Sequence, residues 1–118
     1  MEIMLRYERY RFYPTQVWRP ATDVYESPDE VVIIVELAGM SEEDINVTLS
    51  GNRLRIWGRR SDPAHSPLIR FHQMEIDHGV FERELFITTP INQEDVSATY
   101  KQGILRIGLP KVREIPGE

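Results

Sequence analysis

Near the end of the chain, residues 103–111 read Gly-Ile-Leu-Arg-Ile-Gly-Leu-Pro-Lys, which is the pattern of a β-strand. The apolar residues Leu105, Ile107 and Leu109 fall on one face of an extended chain, because side chains alternate between the two faces of a strand. Pro110 has no N–H group with which to extend a hydrogen-bonded ladder, so the strand is predicted to end there.

Further short segments upstream show strand patterns and are separated by turn residues: 23–26, 31–37, 45–49, 53–59, 68–71, 80–87 and 96–100. The segment 68–71 is the weakest and lies on a long polar loop. Ser41 is predicted to cap a single acidic turn with its side chain. About eight short strands with almost no helix predict an all-β fold, an immunoglobulin-like antiparallel β-sandwich.

Composition narrows the function classes. The chain has 118 residues, no cysteine and a net charge of −5, which suits one domain without disulfides or thiolate chemistry. The acidic balance argues against a dedicated nucleic-acid binder. No apolar run reaches transmembrane length, and the first 13 residues lack the apolar core of a signal peptide, so we expect a cytoplasmic protein with no membrane contact.

Four segments carry a specific resemblance. They are Trp-Arg-Pro at 18–20 with Asp-Val-Tyr-Glu at 23–26, Val-Glu-Leu-Ala-Gly at 35–39 with Asp-Ile at 44–45, Gly-Val-Phe-Glu-Arg at 79–83, and Ala98 with residues 103–111. In this order they resemble the α-crystallin domain of small heat-shock proteins, of the bacterial type in which a loop strand is swapped in a dimer. Ala38 departs from the pattern, because proline is usual there.

The resemblance implies an ATP-independent holdase chaperone, which binds partly unfolded client proteins and keeps them from aggregating. Such binding needs exposed apolar grooves and open strand edges, and it needs no catalytic residue, metal or cofactor. The alternative is a non-catalytic adaptor or assembly module that has the same sandwich and little chaperone activity.

The resemblance also implies a dimer in which the loop strand of one subunit pairs with the first strand of the other. The residues placed at that interface are Asp23, Val24, Tyr25, Glu26, Leu68, Ile69, Phe71 and Arg83. Arg83 is expected to balance Glu75, Asp77 or Glu82.

A groove between two sheet edges is implied as the site for a client or a docking peptide. Its residues are Ile45, Val47, Leu49, Val96, Ala98 and Tyr100. In the family, an isoleucine-x-isoleucine tail of another subunit docks there. Here Val112 lies three residues before Ile115 and points to the other side, and Gly117 stands where a second isoleucine would, so we expect a weak or absent tail contact through Ile115. We therefore expect a homodimer or a small higher oligomer, with Ile3 and Leu5 as substitutes of the right spacing.

The chain is expected to divide into an N-terminal arm (1–17), the α-crystallin domain (18–111) and a short tail (112–118). The aromatic residues of the arm are Tyr7, Tyr10, Phe12 and Tyr13. They are interpreted as client-binding, as in the family; contact with a membrane surface or packing on the domain itself are the alternatives.

Other candidate sites are weaker. The three histidines fit no metal-ligand spacing and are interpreted as surface residues. Four arginines surround Trp57, at positions 53, 55, 59 and 60, and this basic–aromatic patch could clamp single-stranded nucleic acid. A solvated or dimer-facing strand surface is the preferred interpretation.

Overall fold

The structure is a computed structural model that describes residues 17–63 and 66–113. The predicted arm residues Tyr7, Tyr10, Phe12 and Tyr13, and Ile115 of the tail, lie outside these ranges. In the described part, seven strands form in the order β1 (Thr22–Glu26), β2 (Glu30–Glu36), β3 (Ile45–Ser50), β4 (Arg53–Arg60), β5 (Gly79–Phe86), β6 (Ser97–Lys101) and β7 (Ile104–Pro110). Single 3₁₀ turns at Glu42–Asp44 and Gln93–Asp95 precede β3 and β6.

The strands form two antiparallel sheets. One has the order β1-β2-β7-β6 and the other β3-β4-β5, so the predicted all-β sandwich is confirmed. The two sheets share a core of buried side chains: Val31, Ile33, Val35, Leu37, Leu54, Ile56, Phe81, Ile87, Leu105, Ile107 and Leu109.

β2 and β7 form the centre of the larger sheet and supply much of this core. Three successive pairs face the core, Val31 with Leu109, Ile33 with Ile107 and Val35 with Leu105. The predicted alternation of β7 is confirmed, because its three apolar residues are buried while Arg106 is exposed. On the opposite face, Arg106 forms an ion pair with Glu30 at 3.2 Å, across the space left by Gly108.

Glycine lies in the turn of each of the two tight hairpins, β3–β4 and β6–β7. Gly51 begins the turn between β3 and β4 with a φ of +62°, and Gln102 and Gly103 join β6 to β7 with φ of 52° and 80°. Positive φ in these places matches the right-handed twist of the paired strands, and glycine adopts it at the lowest cost.

One expectation about local structure was wrong. The side chain of Ser41 caps no N–H group of the following turn; its hydroxyl instead donates to the Glu43 carboxylate, which lowers the pKa of Glu43. Residues 68–71 form no strand within the single chain, and their pairing with the first strand of a second chain stays a prediction. The N–H of Ile69 bonds to the carbonyl of Ser66 at 3.1 Å, and Leu68 donates to the Ser66 hydroxyl at 3.1 Å, so a local turn forms.

Trp18 attaches the segment before β1 to the other sheet. Its N–H donates to the carbonyl of Val80 and its carbonyl accepts from Glu82, both at 3.1 Å, so it pairs with β5. Its indole N–H donates to the carbonyl of Gly79 at 3.1 Å, and its ring packs on Phe81 with centroids 5.4 Å apart. The chain therefore contacts the edge of the smaller sheet before it enters the larger one.

Candidate functional site

The predicted groove residues lie on the outer strands β3 and β6, one from each sheet, except for Val96, which directly precedes β6. Five of them are half-buried and pack against the common core: Ile45, Val47, Leu49, Val96 and Tyr100. The two rows of apolar side chains are therefore brought against the same core, and each row stays open to solvent on its outer side. Ala98 is exposed between Val96 and Tyr100, and its small side chain leaves a gap in the β6 row.

Side-chain hydrogen bonds cross-link the chain near both ends of this groove. At one end, the Tyr100 hydroxyl donates to the carbonyl of Leu37 at 2.6 Å and accepts from the N–H of Met40 at 3.3 Å. At the other end, the Gln93 side-chain amide donates to the carbonyl of Gly51 at 3.0 Å. The β3 row lies between these two cross-links.

A second opening, of about 430 Å³, lies beside the Gln93 cross-link. Its lining comes from the turn before β4 and from the loop between β5 and β6: Gly51, Asn52, Ile87, Thr88, Thr89, Pro90, Ile91 and Gln93. The chain leaves β7 along its rim, where the N–H of Val112 donates to the carbonyl of Pro90 at 3.1 Å.

β1 is an outer strand of the larger sheet, and its outer edge carries unpaired backbone groups. Ala21 accepts from the N–H of Glu36, and Ser27 donates to the carbonyl of Glu30, so the odd-numbered residues of β1 point their backbone toward β2. By alternation, the N–H and carbonyl groups of Thr22, Val24 and Glu26 point outward.

The side chains of this strand are exposed as well. Val24 keeps 51% of its surface and Tyr25 53%, and Asp23 is also exposed. The Glu26 carboxylate is paired with Lys111, the residue that follows β7. An exposed apolar edge strand is a ready template for another extended segment.

The loop between β4 and β5 carries the other predicted interface residues. Leu68 is 92% exposed, Ile69 47% and Phe71 37%. The backbone N–H groups of Leu68 and Ile69 bond to Ser66 of the same loop, and β1 pairs with β2.

Arg83 lies on the core-facing side of β5, on the same face as Phe81 and Leu85. Its Nε is buried and has no hydrogen-bond partner among the described residues. Of the three expected partners, Glu82 pairs with Arg55 and Glu75 accepts from Gln73 at 2.6 Å, while the main-chain carbonyl of Asp77 accepts from Arg60. A buried guanidinium N–H without an acceptor is costly.

The basic–aromatic patch is largely neutralised. On the outer face of the smaller sheet, Arg53 pairs with Glu84 and Arg55 with Glu82, and the Arg55 guanidinium stacks on Trp57 at 4.1 Å. Arg60 does not belong to this patch, because it continues the core-facing row of β4 and contacts Trp18 instead. The sequence analysis did not predict this role. The two-residue spacing of Leu54, Ile56, Gly58 and Arg60 indicates that Arg60 lies on the same face of β4 as the buried residues.

The described part of the chain holds neither a metal-binding cluster nor a membrane-spanning helix. Across residues 17–63 and 66–113, no three side chains of histidine, aspartate or glutamate come together as a metal site. No helix within the same ranges has the length and apolar character needed to cross a membrane.

Comparison with known proteins gives consistent matches. The Hsp20/alpha crystallin family matches residues 23–117. Small heat shock protein C4 of Rickettsia felis is 30% identical over 84% of this chain and 61% of its own length. Spore protein SP21 of Stigmatella aurantiaca is 32% identical over 81% of this chain and 57% of its own length. The chain thus spans about three fifths of the length of these curated relatives.

Solved structures match the fold. A small heat-shock protein from Xylella fastidiosa, described as having a distinct high order structure, superposes with a TM-score of 0.79 and 26% identity, covering 87% of this chain and 94% of its own. Heat shock protein 16.0 from Schizosaccharomyces pombe has a TM-score of 0.75 and 29% identity, covering 86% of this chain and 94% of its own.

Proposed function

The chain belongs to the Hsp20/alpha crystallin family, a family of non-catalytic chaperones, and from this we propose that it is an ATP-independent holdase. It binds partly unfolded proteins and keeps them from aggregating. The proposal rests on the groove between β3 and β6, where two half-buried apolar rows remain open to solvent. An extended client segment buries its own apolar side chains there, and this binding competes with aggregation without any chemical step.

The test is heat-induced aggregation of a model protein, with this chain at an equal subunit ratio and without nucleotide. We expect light scattering to fall strongly. No suppression at that ratio would contradict the holdase and favour the adaptor module. A cytoplasmic location is part of the same proposal, because a chain without cysteine needs no oxidising compartment.

The subunit arrangement we propose is a dimer in which residues 68–71 of one chain pair with β1 of the other. Three observations support it: the outward backbone groups of Val24, the exposed side chains of Leu68 and Ile69, and the buried donor of Arg83 that has no acceptor. Pairing would give the loop segment the neighbouring strand that it lacks in a single chain. The division into arm, domain (18–111) and tail belongs to the same proposal.

The edge of β1 allows a sharp test of this dimer. Val24→Pro removes an N–H that points outward, whereas Tyr25→Pro removes one that bonds to β2, so only the second should weaken the domain itself. We expect Val24→Pro to give a folded monomer by sedimentation at concentrations where the parent chain is dimeric. A Val24→Pro protein that remains dimeric would contradict the pairing.

We also propose that Tyr7, Tyr10, Phe12 and Tyr13 contact clients, and that the lone Ile115 gives only a weak tail contact. Removing residues 1–16 should then reduce aggregation suppression while the dimer persists. Unchanged suppression by the shortened chain would contradict the role of the arm.

A further inference from the structure

Arg60 ends the core-facing row of β4, at the point where the chain enters the loop 61–78. Its guanidinium donates to the carbonyl of Asp77 from both Nε, at 3.0 Å, and Nη2, at 2.6 Å. Nη1 donates to the carbonyl of Ala38 at 3.2 Å, and Cζ lies 4.3 Å from the centre of the Trp18 ring. One side chain therefore holds three separate segments.

The partners of this guanidinium are unusual for a charged group. Both hydrogen-bond acceptors are backbone carbonyls, and the third contact is an aromatic face. Carbonyls and an indole ring constrain direction more than they neutralise charge. The planar fork of arginine suits such an arrangement, because its donors point in fixed directions.

One of the three segments ends the loop that carries residues 68–71, and another leads into β1, the two parts that pair in the proposed dimer. Asp77 lies where the loop 61–78 returns to the sheet, just before β5. Trp18 joins the start of the domain to β5 and directly follows the residues proposed as the arm. Ala38 lies in the turn that leads to the groove strand β3, where its Cα and Cβ pack against Gly103.

We propose that Arg60 is the positioning residue of the subunit-pairing loop. By holding Asp77 and Trp18 together, it fixes the direction in which the loop leaves and rejoins the sheet, so that residues 68–71 are presented to the β1 edge of a second chain. Presenting the loop in one orientation lowers the ordering cost of association. This inference rests on the proposed dimer.

The experiment compares Arg60→Met, Arg60→Lys and Arg59→Met in the full chain. Methionine keeps an apolar stem over Trp18 but has no donor, and lysine keeps the charge without the fork. Arg59 is the matched control, because it is the neighbouring arginine and its side chain is exposed on the opposite face of β4. The dimer dissociation constant is measured by sedimentation, and amide hydrogen exchange is followed in the loop and in β2 and β7.

We expect Arg60→Met to raise the dimer dissociation constant by about tenfold or more, since it removes charge-assisted bonds that orient the loop. Exchange at Leu68 and Ile69 should accelerate while β2 and β7 keep their protection. Arg60→Lys should fall between Arg60→Met and the parent, and Arg59→Met should match the parent.

Two results would overturn the inference. One is a parent-like dissociation constant with parent-like exchange in the loop of Arg60→Met. The other is an equal loss of protection in the loop and in β2 and β7, which would make Arg60 a general stabilising residue. If the parent chain itself is monomeric at all concentrations, the proposed dimer fails, and loop exchange alone then decides whether Arg60 positions the loop.

Discussion

The main-chain carbonyl of Asp44 lies directly over the α-carbon of Gly58, so that a Cβ built at position 58 would stand only 2.1 Å from that oxygen. The same Cβ would lie 2.9 Å from the ring of Phe81. This close approach lets the turn before β3 pack onto β4, and a side chain of any size would force the two apart.

Gly58→Ala is therefore expected to destabilise the domain by about 3 kcal/mol or more, because backbone atoms cannot move aside as a flexible side chain can. The measurement is urea unfolding followed by tryptophan fluorescence. Gly108→Ala is the control: its Cβ would meet only the ends of the Glu30, Ser97 and Arg106 side chains at 3.1–3.3 Å, so it should cost less than about 1 kcal/mol. Equal losses in the two variants would contradict the packing argument.

Tyr100→Phe tests the cross-link at one end of the groove. The variant keeps the ring and removes a hydroxyl that bonds to both Leu37 and Met40, so we expect a loss of about 1–2 kcal/mol in the free energy of unfolding. The amide of Met40 should also exchange faster with solvent. Tyr25→Phe, at an exposed tyrosine, should leave the free energy of unfolding unchanged. A similar loss in Tyr25→Phe would show that the hydrogen bonds of Tyr100 are not the cause of the effect.

Ala98→Arg tests the groove as the client site. A guanidinium placed in the gap of the β6 row would have to be desolvated by any apolar segment that binds, so we expect client affinity to fall by about tenfold. The assay is the ratio of this chain to substrate that halves heat aggregation. Thr99→Arg places the same charge on the opposite face of β6 and should behave as the parent. If both variants suppress aggregation equally, clients bind elsewhere.

The outer face of the smaller sheet is expected to bind nucleic acid poorly. Arg53 and Arg55 are already paired with glutamates, and the net charge is −5, so the dissociation constant for a labelled single-stranded oligonucleotide should exceed about 10⁻⁴ M at physiological salt. Fluorescence anisotropy measures it. The double variant Glu82→Gln and Glu84→Gln frees both guanidiniums and should bind more tightly. Tight binding by the parent chain would contradict this prediction.

Sequence reasoning was most successful where a strand is buried by its own sheet. The sequence correctly predicted that Leu105, Ile107 and Leu109 share the buried face of β7 and that the apolar run starting at Val31 forms a strand. Side chains alternate between the two faces of a strand, so only one register buries the apolar set. The same parity placed Ile45, Val47 and Leu49 on one side of β3, where the structure has them half-buried.

The features that sequence reasoning missed depend on groups without a sequence signature. Arg60 binds backbone carbonyls, which every residue has, so nothing in the pattern singled out Asp77 or Ala38 as its partners. The Ser41 hydroxyl bonds to the Glu43 carboxylate and not to an N–H of the turn, and the choice between these two partners has no sequence signature. Residues 68–71 have strand-forming side chains but no neighbouring strand within the chain, and a strand exists only as part of a ladder.

The two cross-links of the groove also set a length. An extended chain laid along β3 can run from Leu49 to Ile45 before it meets the Gln93 bond at one end or the Tyr100 bond at the other. Five residues of strand span roughly 17 Å, at about 3.4 Å each. Sequence windows of about five to seven apolar, β-prone residues are those that drive aggregation. In the proposed function, the span of the groove therefore matches the length of the shortest client segments that drive aggregation.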